Sequence, residues 1–568
     1  MPGDPGSPFP GFPVWGGAWR REAWTRVDTP GDRPGEPWDV LVIGGGITGA
    51  GLFLEAARMG HRVLLVEARD FAWGSSSRSS KLVHGGMRYL KQLRLGLTRT
   101  LLVERDRFLS EVPGLVEPLG FLLPQYRHRA LDLLAYGVGV TCYDLLRGHL
   151  RGWSWRSVAD VERLVPGVVR GGLVGGIEYL DAVTDDARLV LRVLREGAAA
   201  GGVALNYVGV EGLVREGGRV VGVELQDRVT GAGATVRARV VMNATGAGVD
   251  GVRALVGERP RLRPLRGAHL VLSACRVPLS HAVACRHPRD GRYVYLLPWE
   301  GAVLLGCTDV DHGERDNLEP RATAQEVQYL LDFSDHWLPG LGLREEDALG
   351  TFAGVRPVVG RGHGATHDEP RDSVVWEESG LVTVISGKLT PFRSIARRAL
   401  ASAARHLPES RRPDSRRPYF TSAGAGAGGV AALPDARARR LLGRYGPDAP
   451  AAVAAAGPDE LYPVPGTDVL WAELRWAAQA EGVVHLDDLL LRRARVGLLL
   501  PRGGVDVLPR VRALCQAALG WDDETWGREV ERYVGLWSEI YAPPGTRGGT
   551  LPGSGTGARS SPSGDTEG

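Results

Sequence analysis

The clearest pattern of hydrophobic and polar positions lies at residues 39–70, "DVLVIGGGITGAGLFLEAARMGHRVLLVEARD". A short apolar run leads into a glycine-rich turn, a helix-like segment follows, and a second apolar run ends at Glu67. This succession predicts a strand, a turn, a helix and a second strand. It is the local structure in which glycine spacing acquires a chemical meaning.

The turn contains the spacing Gly44-x-Gly46-x-x-Gly49, which is the dinucleotide-binding fingerprint in its required context. Glycines let the backbone turn tightly and approach a pyrophosphate, whose negative charge then faces the N-terminus of the helix. Glu67 can accept hydrogen bonds from an adenosine ribose. We therefore expect Gly44, Gly46, Gly49 and Glu67 to bind a dinucleotide.

Two later segments favour a flavin over a nicotinamide. Residues 203–248 predict three strands joined by turns, then an apolar strand that runs into Ala244-Thr245-Gly246 and returns the chain to the dinucleotide. Residues 380–400, "GLVTVISGKLTPFRSIARRAL", predict a strand, a turn at Gly387, and a helix with Thr390 as N-cap and Pro391 as its first residue. The N-terminus of that helix suits the electron-rich end of a reduced flavin.

The pattern changes after residue 407, and this divides the chain into domains. Residues 408–429 are rich in Pro, Gly, Ala and Ser and predict a linker between an α/β region (37–407) and an Ala- and Leu-rich region (430–542). Near residue 522, apolar residues at three- and four-residue spacing predict a helix, capped by Asp522 or Asp523. Residues 1–36 and 543–568 have the composition of flexible tails.

Composition narrows the class of protein. The 568 residues, with 43% hydrophobic and 24% charged side chains, predict two to four folded domains. A net charge of +3 argues against a dedicated nucleic-acid binder but permits weak attraction to anionic membranes. The 69 basic residues include only three lysines, Lys81, Lys91 and Lys388, so a retained lysine is of interest.

The chain shows no sequence sign of a metal site, a disulfide framework or a membrane span. Its five cysteines are odd in number and contain no CxxC spacing, which fits a reducing cytoplasm. The N-terminus lacks the apolar core of a signal peptide, and no run of about 18 apolar residues occurs. We expect a soluble or peripheral protein without a metal ion.

Several stretches together resemble the family of FAD-dependent glycerol-3-phosphate dehydrogenases, within the flavoproteins related to D-amino-acid oxidase. They are "IGGGITGAG", "SSSRSSKLVHGGMRYL" (75–90), "DDARLV" (185–190), "RGAHLVL" (266–272), "LGCTDVD" (305–311), "AGVRP" (353–357) and "SGKLTPFR" (386–393). Residues 473–499 resemble the family's C-terminal domain. The departures are Arg266 in place of lysine, Pro391-Phe392 in place of Thr-Tyr, and Ala247-Gly248 in place of Pro-Trp.

The resemblance implies an α/β fold: a Rossmann-type FAD-binding domain with a mixed-sheet substrate domain, followed by a C-terminal all-α domain. It implies oxidation of sn-glycerol 3-phosphate to dihydroxyacetone phosphate by hydride transfer to FAD, with electrons passed to a membrane quinone. The protein would then dock peripherally on the cytoplasmic face of the cell membrane, and a homodimer is compatible with this. Residues 127–148 pair arginines with an apolar stretch, and either a membrane-surface helix or a buried helix of the substrate domain explains them.

The resemblance also assigns roles position by position. Arg88, Tyr89 and Lys388 are the candidates for binding the substrate phosphate, since cationic groups form charge-assisted hydrogen bonds with it. His269 is the candidate base and Arg356 the stabiliser of developing alkoxide charge, with His84 as the rival base. The residues expected at the cofactor are those of the fingerprint together with Ser79, Ser80, Lys81, His84, Gly85, Gly86, Ala244, Gly246, Gly387, Leu389 and Thr390.

Other functions fit parts of the pattern. A peroxide-forming glycerol-3-phosphate oxidase is the nearest alternative, and an amine oxidase of the same fold is the next. A flavoprotein acting on tRNA would be expected to carry a basic surface, which the near-neutral charge disfavours. A dinucleotide-binding structural protein would leave "SGKLT" and "GGMRYL" without a purpose.

Overall fold

The computed structural model describes residues 12–27, 36–86, 94–127, 152–313, 318–360, 373–409, 416–424 and 428–547, with a few isolated positions between them. The strands are β1 Trp38–Ile43, β2 Val63–Val66, β3 Leu82–Val83, β4 Val116–Tyr126, β5 Trp153–Arg156, β6 Leu173–Thr184, β7 Val203–Leu205, β8 Val208–Glu216, β9 Arg219–Asp227, β10 Gly233–Asn243, β11 Leu262–Ser273, β12 Ala282–Arg286, β13 Tyr293–Trp299, β14 Ala302–Gly306, β15 Val310–Asp311, β16 Ala348–Val359, β17 Val374–Glu378 and β18 Leu381–Ile385.

The α-helices of the same residues alternate with the strands up to residue 403 and then dominate. They are α1 Trp19–Thr25, α2 Ile47–Arg58, α3 Leu95–Glu111, α4 Val158–Leu164, α5 Asp186–Ala199, α6 Val249–Ala254, α7 Ala324–Trp337, α8 Phe392–Ala403, α9 Gly428–Ala431, α10 Asp435–Tyr445, α11 Ala449–Ala454, α12 Trp471–Ala480, α13 Val496–Leu499, α14 Leu508–Leu519 and α15 Asp523–Leu536. Two π-helical segments, Asp488–Arg493 and Trp537–Tyr541, complete the C-terminal region.

The first sheet is mainly parallel, in the order β17-β18-β10-β1-β2-β7. Strand β1 lies between β2 and β10 and pairs in parallel with both, so its side chains are buried on both faces. Helices α2, α5 and α8 pack together against it through an apolar core that includes Phe53, Leu194 and Phe392. The Rossmann-type domain is confirmed.

Strand β10 of this sheet has different pairing partners along its two halves. Its first half, Gly233–Arg237, pairs antiparallel with β9, and its second half pairs in parallel with β1. The chain thus passes from the β8–β9 hairpin back to the nucleotide-binding edge within one strand. This confirms the strands predicted over residues 203–248.

The second sheet is mixed, in the order β15-β11-β14-β13-β12-β4-β6-β3, with β16 paired along β11 and β5 along β6. Most pairs are antiparallel, whereas β12 and β4 are parallel. The expected mixed-sheet domain is confirmed. The long antiparallel pair of β11 with β16, at one side of this sheet, carries both candidate catalytic residues.

The C-terminal region is helical, as expected, and packs directly on the mixed sheet. Trp471, Leu490 and Trp537 belong to the same apolar core as Leu304 and Phe352 of that sheet. Helix α15 is capped by Asp522, whose carboxylate accepts a hydrogen bond from the Thr525 N–H at 2.7 Å. The first of the two proposed caps is therefore confirmed.

Two segments expected to be flexible are in part folded. Within the N-terminal tail, Trp15 is buried and stacks on Trp19 of α1 at 4.9 Å. Within the linker, Tyr419 and Phe420 are buried against Phe108. Aromatic residues in these Pro- and Gly-rich stretches gain more from burial than composition alone suggests. The prediction of a flexible tail is thus wrong for residues 12–27.

The described residues contain no helix that is both long and apolar enough to cross a membrane. Among the same residues, no group of His, Cys, Asp and Glu side chains has the arrangement of a metal site. Most of the 127–148 stretch, proposed as a membrane-surface helix, lies outside the described residues.

Candidate active site

The glycine turn between β1 and α2 is built on close backbone contacts. Gly44 has a left-handed φ of +110° and donates its N–H to the Val66 carbonyl at 2.8 Å. A Cβ added to Gly49 would lie 1.8 Å from the Gly44 carbonyl oxygen. Because Gly49 has no side chain, α2 can pack this closely on the turn after β1, which brings the helix N-terminus to the end of that strand, the place where an anion binds in such turns.

A serine hydroxyl occupies the entrance to this helix. The Ile47 N–H, the first of α2, donates to Ser76 Oγ at 3.0 Å. A Cβ on Gly46 would lie 3.1 Å from the same oxygen. The serine-rich segment therefore lies directly against the fingerprint turn, although the two bonded residues are 29 positions apart in sequence.

Glu67 directly follows β2 and lies beside the same turn. Its carboxylate accepts hydrogen bonds from the Gly45 N–H at 2.7 Å and the Arg69 N–H at 2.9 Å. Burial raises the pKa of the Glu67 carboxyl, and the two backbone N–H groups oppose that rise. Each carboxylate oxygen retains a lone pair for a hydroxyl donor, as ribose binding requires.

The segment after the serines is anchored on Asp186, at the start of α5. Ser79 donates its N–H and its hydroxyl to Asp186 Oδ2, at 2.9 and 2.7 Å. The fully buried Lys81 ammonium contacts both carboxylate oxygens at 2.9 Å. Burial lowers the pKa of Lys81 to about 8, against the pull of Asp186. The Lys81 N–H donates to Ser79 Oγ at 3.1 Å and its carbonyl accepts from the Thr184 N–H at 2.8 Å, so the side chain and the backbone of Lys81 are both engaged within the protein and its role at the cofactor stays a prediction.

The two glycines that follow are constrained by the protein's own packing. A Cβ on Gly85 would lie 2.3 Å from the Tyr143 hydroxyl oxygen, and Gly86 has a φ of +73°. His84, the rival base, is exposed. Residues 87–93, which include the phosphate candidates Arg88 and Tyr89, lie outside the described residues.

His269 lies in the middle of β11, where cross-strand neighbours define its surroundings. Its ring stacks on Phe352 of β16 at 4.6 Å, and its Nε2 lies 2.9 Å from Ser80 Oγ. A Cβ on Gly306 of β14 would lie 2.2 Å from the ring, so that glycine makes room for it. Burial lowers the pKa of His269, which keeps the imidazole neutral near pH 7.

Arg356 extends from β16 toward the same region. Its guanidinium lies 2.8 Å from Asp309 Oδ1 and contacts the Cys307 sulfur, while Gly267 of β11 leaves the space that it fills. Burial alone would raise the pKa of the Cys307 thiol. The Arg356 charge and the His269 ring outweigh this effect and lower the pKa well below its ordinary value. The structure thus brings His269, Arg356 and Ser80 together.

Two further turns belong to this region: the turn after β10 lies against the glycine turn, and the turn after β18 lies against β16. The carbonyl of Ala244, after β10, lies against Gly44, where a Cβ would approach within 2.7 Å. Gly387, after β18, lies beside the Pro357 carbonyl, next to Arg356. Lys388 and Leu389 in the same turn are half-buried. All four chain segments predicted to meet the cofactor therefore border one region.

One detail of the last turn differs from the prediction. Helix α8 begins at Phe392, with Pro391 rather than Thr390 at the N-cap and no side-chain cap. Thr390 is buried. Proline without an N–H is tolerated at the entrance to a helix, so the start moves by one residue without loss of a hydrogen bond.

Ser76 was expected only as one of the serines and glycines of 75–86 that lie against the cofactor, not as the partner of α2, and two contributors were missed altogether: Asp186, which binds Ser79 and Lys81, and Cys307, beside Arg356. Ser76 and Asp186 lie in stretches that carried the family resemblance, but no periodicity gives their partners. Cys307 stands in "LGCTDVD" with no spacing partner, so only the pairing of β11 with β14 and β16 reveals its neighbours.

Comparison with known protein families identifies the main body. Residues 39–390 match the family described as FAD dependent oxidoreductase, well over half of the chain. The chain belongs to this family. Residues 399–526 also match the C-terminal domain of alpha-glycerophosphate oxidase.

Individual relatives cover nearly the whole chain. Glycerol-3-phosphate dehydrogenase 2 of Mycobacterium tuberculosis is 37% identical over 540 residues, which are 91% of this chain and 90% of the relative. The glycerol-3-phosphate dehydrogenase of Mycobacterium leprae is 38% identical over 538 residues, covering 90% and 89%. The crystal structure of the glycerol-3-phosphate dehydrogenase from Bacillus halodurans, complexed with FAD, has a TM-score of 0.72 at 27% identity and covers 92% of this chain and 98% of its own.

As a member of the FAD-dependent oxidoreductase family, the protein uses FAD, and its own residues fit that cofactor. Gly46 and Ser76 line the N-terminus of α2, where the pyrophosphate of FAD would bind. Gly246 and Gly387 border open space, since a Cβ on Gly246 would meet no atom within 4 Å and one on Gly387 would meet only the Pro357 carbonyl oxygen, at 3.9 Å. Nδ1 of His269 is buried and has no hydrogen-bond partner among the described residues. An additional molecule with polar groups at this place would satisfy it.

Proposed function

We propose that the protein oxidises sn-glycerol 3-phosphate to dihydroxyacetone phosphate with FAD and passes the electrons to a membrane quinone. The proposal rests on one observation: His269, Ser80 and Arg356 lie close together, beside the four segments that are predicted to bind FAD. The names of the mycobacterial and Bacillus relatives support the substrate.

His269 takes the proton of the substrate's secondary hydroxyl. It is buried and neutral, as a base must be before it acts, and the Ser80 hydroxyl holds one ring nitrogen at 2.9 Å. FAD supplies the two-electron acceptor for the hydride that leaves carbon. The proton and the hydride together account for the two hydrogens lost when the alcohol becomes a ketone.

Arg356 stabilises the charge that develops on the substrate oxygen. Its guanidinium is only partly exposed and is already oriented by Asp309 at 2.8 Å. A fixed cation in a site shielded from water stabilises a forming alkoxide more strongly than a mobile one.

The substrate phosphate binds at the turn between β18 and α8, together with residues 88–89. Lys388 is half-buried in that turn, which lies next to Arg356 through Gly387 and Pro357. A dianion gains charge-assisted hydrogen bonds from an ammonium group and from an arginine. We propose Lys388, Arg88 and Tyr89 as the phosphate-binding set.

One experiment tests the reaction directly. Anaerobic addition of glycerol 3-phosphate to the purified protein should bleach the flavin absorbance, whereas glycerol at the same concentration should not. Bleaching by neither compound, or equally by both, contradicts the proposed substrate.

The acceptor is tested separately, because a specific observation favours the alternative. The C-terminal domain matches one named for alpha-glycerophosphate oxidase, which points to oxygen. A soluble quinone analogue should support faster turnover than air-saturated buffer, with little hydrogen peroxide. Rapid peroxide formation with oxygen as the preferred acceptor would make the enzyme an oxidase.

The proposed membrane docking has support from exposed aromatic side chains. Trp153 and Trp155 of β5 are 37% and 45% exposed, and Leu145 is 55% exposed. The Trp153 indole donates to the Thr141 hydroxyl, and Thr141 and Leu145 are one helical turn apart, so the three apolar residues share one surface. Tryptophans are typical of membrane–water interfaces.

Flotation tests this surface and with it the proposed location on the cytoplasmic face of the membrane. The protein should float with anionic liposomes, and a variant with Trp153→Ala and Trp155→Ala should float at least fivefold less, because two interfacial side chains are lost. A Trp521→Ala variant, changed in the C-terminal domain, serves as control. Equal flotation of both variants would remove this docking surface.

A further inference from the structure

A buried group of charges joins the C-terminal helices to the start of α5. Arg495 lies at the centre of this group. In the chain it stands between the π-helical segment Asp488–Arg493 and α13, and its φ of +64° is left-handed. Its guanidinium donates to Asp185 Oδ1 at 2.9 Å, to Asp186 Oδ1, and to the Ser77 carbonyl at 3.3 Å. One side chain of the helical domain thus reaches three points of the main body.

The same Asp186 holds the segment 77–81 from the other side. Ser79 and Lys81 both bond to its carboxylate, and the Lys81 ammonium also donates to the Ser77 carbonyl at 2.6 Å. Arg495 and Lys81 therefore share two acceptors, Asp186 and the Ser77 carbonyl. Because Ser77, Lys81, Asp186 and Arg495 are buried, removing one of the charges leaves the others without compensation, and the segment must rearrange.

Ser80 lies between these two anchored residues, and its hydroxyl is the hydrogen-bond partner of His269 Nε2. The backbone position of Ser80 is fixed by Ser79 on one side and Lys81 on the other. A shift of a few tenths of an ångström at Asp186 would therefore lengthen a 2.9 Å hydrogen bond on the base itself.

We propose that Arg495 is a positioning residue for the oxidation: from the C-terminal domain it fixes segment 77–81 and, through Ser80, orients His269. The inference rests on the proposed function. It gives the helical domain a part in the chemistry and explains why an arginine, whose planar fork can reach three acceptors, stands at this position.

The test compares Arg495→Lys, Ser80→Ala and the double variant in the full-length FAD-loaded protein. Each single change should lower the limiting rate of anaerobic flavin reduction by roughly five- to tenfold, the worth of one oriented hydrogen bond. The dissociation constant for glycerol 3-phosphate should stay within about twofold, because no phosphate ligand is changed. The double variant should be no slower than Ser80→Ala alone, since both changes break one path.

Arg493→Lys is the matched control. Arg493 is a neighbouring buried arginine that bonds to Asp70 at 2.6 and 2.8 Å and does not touch segment 77–81. It should lower the melting temperature as Arg495→Lys does while leaving the limiting rate unchanged. If Arg495→Lys is not recovered folded, Ser79→Ala breaks the same path inside the main body and should show the same kinetic defect.

A second readout does not depend on activity. Ring ¹⁵N NMR, with His269 assigned among the 13 histidines by a His269→Gln variant, should show the same displaced resonance in Arg495→Lys and Ser80→Ala and the parent resonance in Arg493→Lys. The inference would be overturned if the rate of the double variant were reduced by the product of the two single-variant factors. It would also be overturned if the His269 resonance did not move in Arg495→Lys. If glycerol 3-phosphate fails to reduce the parent, the proposed function fails, and the NMR comparison still decides the path from Arg495 to His269.

Discussion

The two sheets of the molecule make their contributions to the site in different ways. The parallel sheet offers backbone: Gly44, Ala244 and Gly387 lie just beyond the ends of its strands. The mixed sheet offers side chains from the middle of strands, His269 on β11 and Arg356 on β16. At the parallel sheet, the proposed role of a residue depends on its having no side chain, so that backbone can approach closely. At the mixed sheet, it depends on which side chains the strand register places next to one another.

The largest effect should come from adding a single carbon to the parallel-sheet side. Gly49→Ala would place a Cβ 1.8 Å from the Gly44 carbonyl oxygen, far inside contact distance, so α2 must move away from β1. We expect loss of bound FAD and a melting temperature lower by several degrees. Flavin release on denaturation and thermal unfolding measure both.

Gly527→Ala is the control for that change. Gly527 lies in α15, and an added Cβ would meet no atom within 4 Å. Alanine is favoured over glycine by up to about 1 kcal/mol in a helix, so this variant should be at least as stable as the parent. Full flavin content in Gly49→Ala would show that the close approach of helix and strand is not needed.

On the mixed-sheet side, the largest effect should follow removal of the base. His269→Ala should slow flavin reduction at saturating glycerol 3-phosphate by roughly 10²- to 10⁴-fold, the usual worth of a general base. Substrate binding should change much less, because the proposed contact of His269 is with the reacting hydroxyl and not with the phosphate. Stopped-flow reduction measures both quantities. An unchanged limiting rate would transfer the role to His84 or to water.

A smaller effect should follow from a change in the turn between β18 and α8. Under the proposed assignment, Lys388→Ala removes one charge-assisted interaction with phosphate, worth roughly 1.5 to 3 kcal/mol, or about a ten- to 150-fold loss in kcat/KM. Discrimination between glycerol 3-phosphate and glycerol should fall by the same factor. If the variant still discriminates as the parent does, Lys388 does not bind the phosphate.

The same difference between the two sheets explains which parts of the structure could be predicted from the sequence. The parallel sheet was predictable because buried parallel strands are continuous apolar runs, and glycines at their ends have few alternative uses. The C-terminal helices and the Asp522 cap followed from periodicity for a similar reason. These features are local, and local sequence determines them.

The surroundings of His269 could not be predicted, because they depend on register. Phe352 and Gly306 meet the ring only through the alignment of β11 with β16 and β14. Lys81 shows the same limit: its neighbours in sequence suggested the cofactor, whereas Asp186, 105 residues away, holds its ammonium. Long-range pairing of buried charges leaves no periodic pattern.

The smallest effect concerns pH and tests the environment of His269 itself. Burial lowers its pKa, and the contact with Cys307 only partly offsets this, so the imidazole should protonate below its ordinary value of 6.5. A base must be neutral to act. The limiting rate of flavin reduction should therefore decline as the pH is lowered, with a midpoint below pH 6.5, as His269 becomes charged. In His269→Ala that decline should be absent from the remaining slow reaction. A decline centred at or above pH 6.5 in the parent would mean that water or a carboxylate reaches the ring, and the buried stack on Phe352 would not describe the working enzyme.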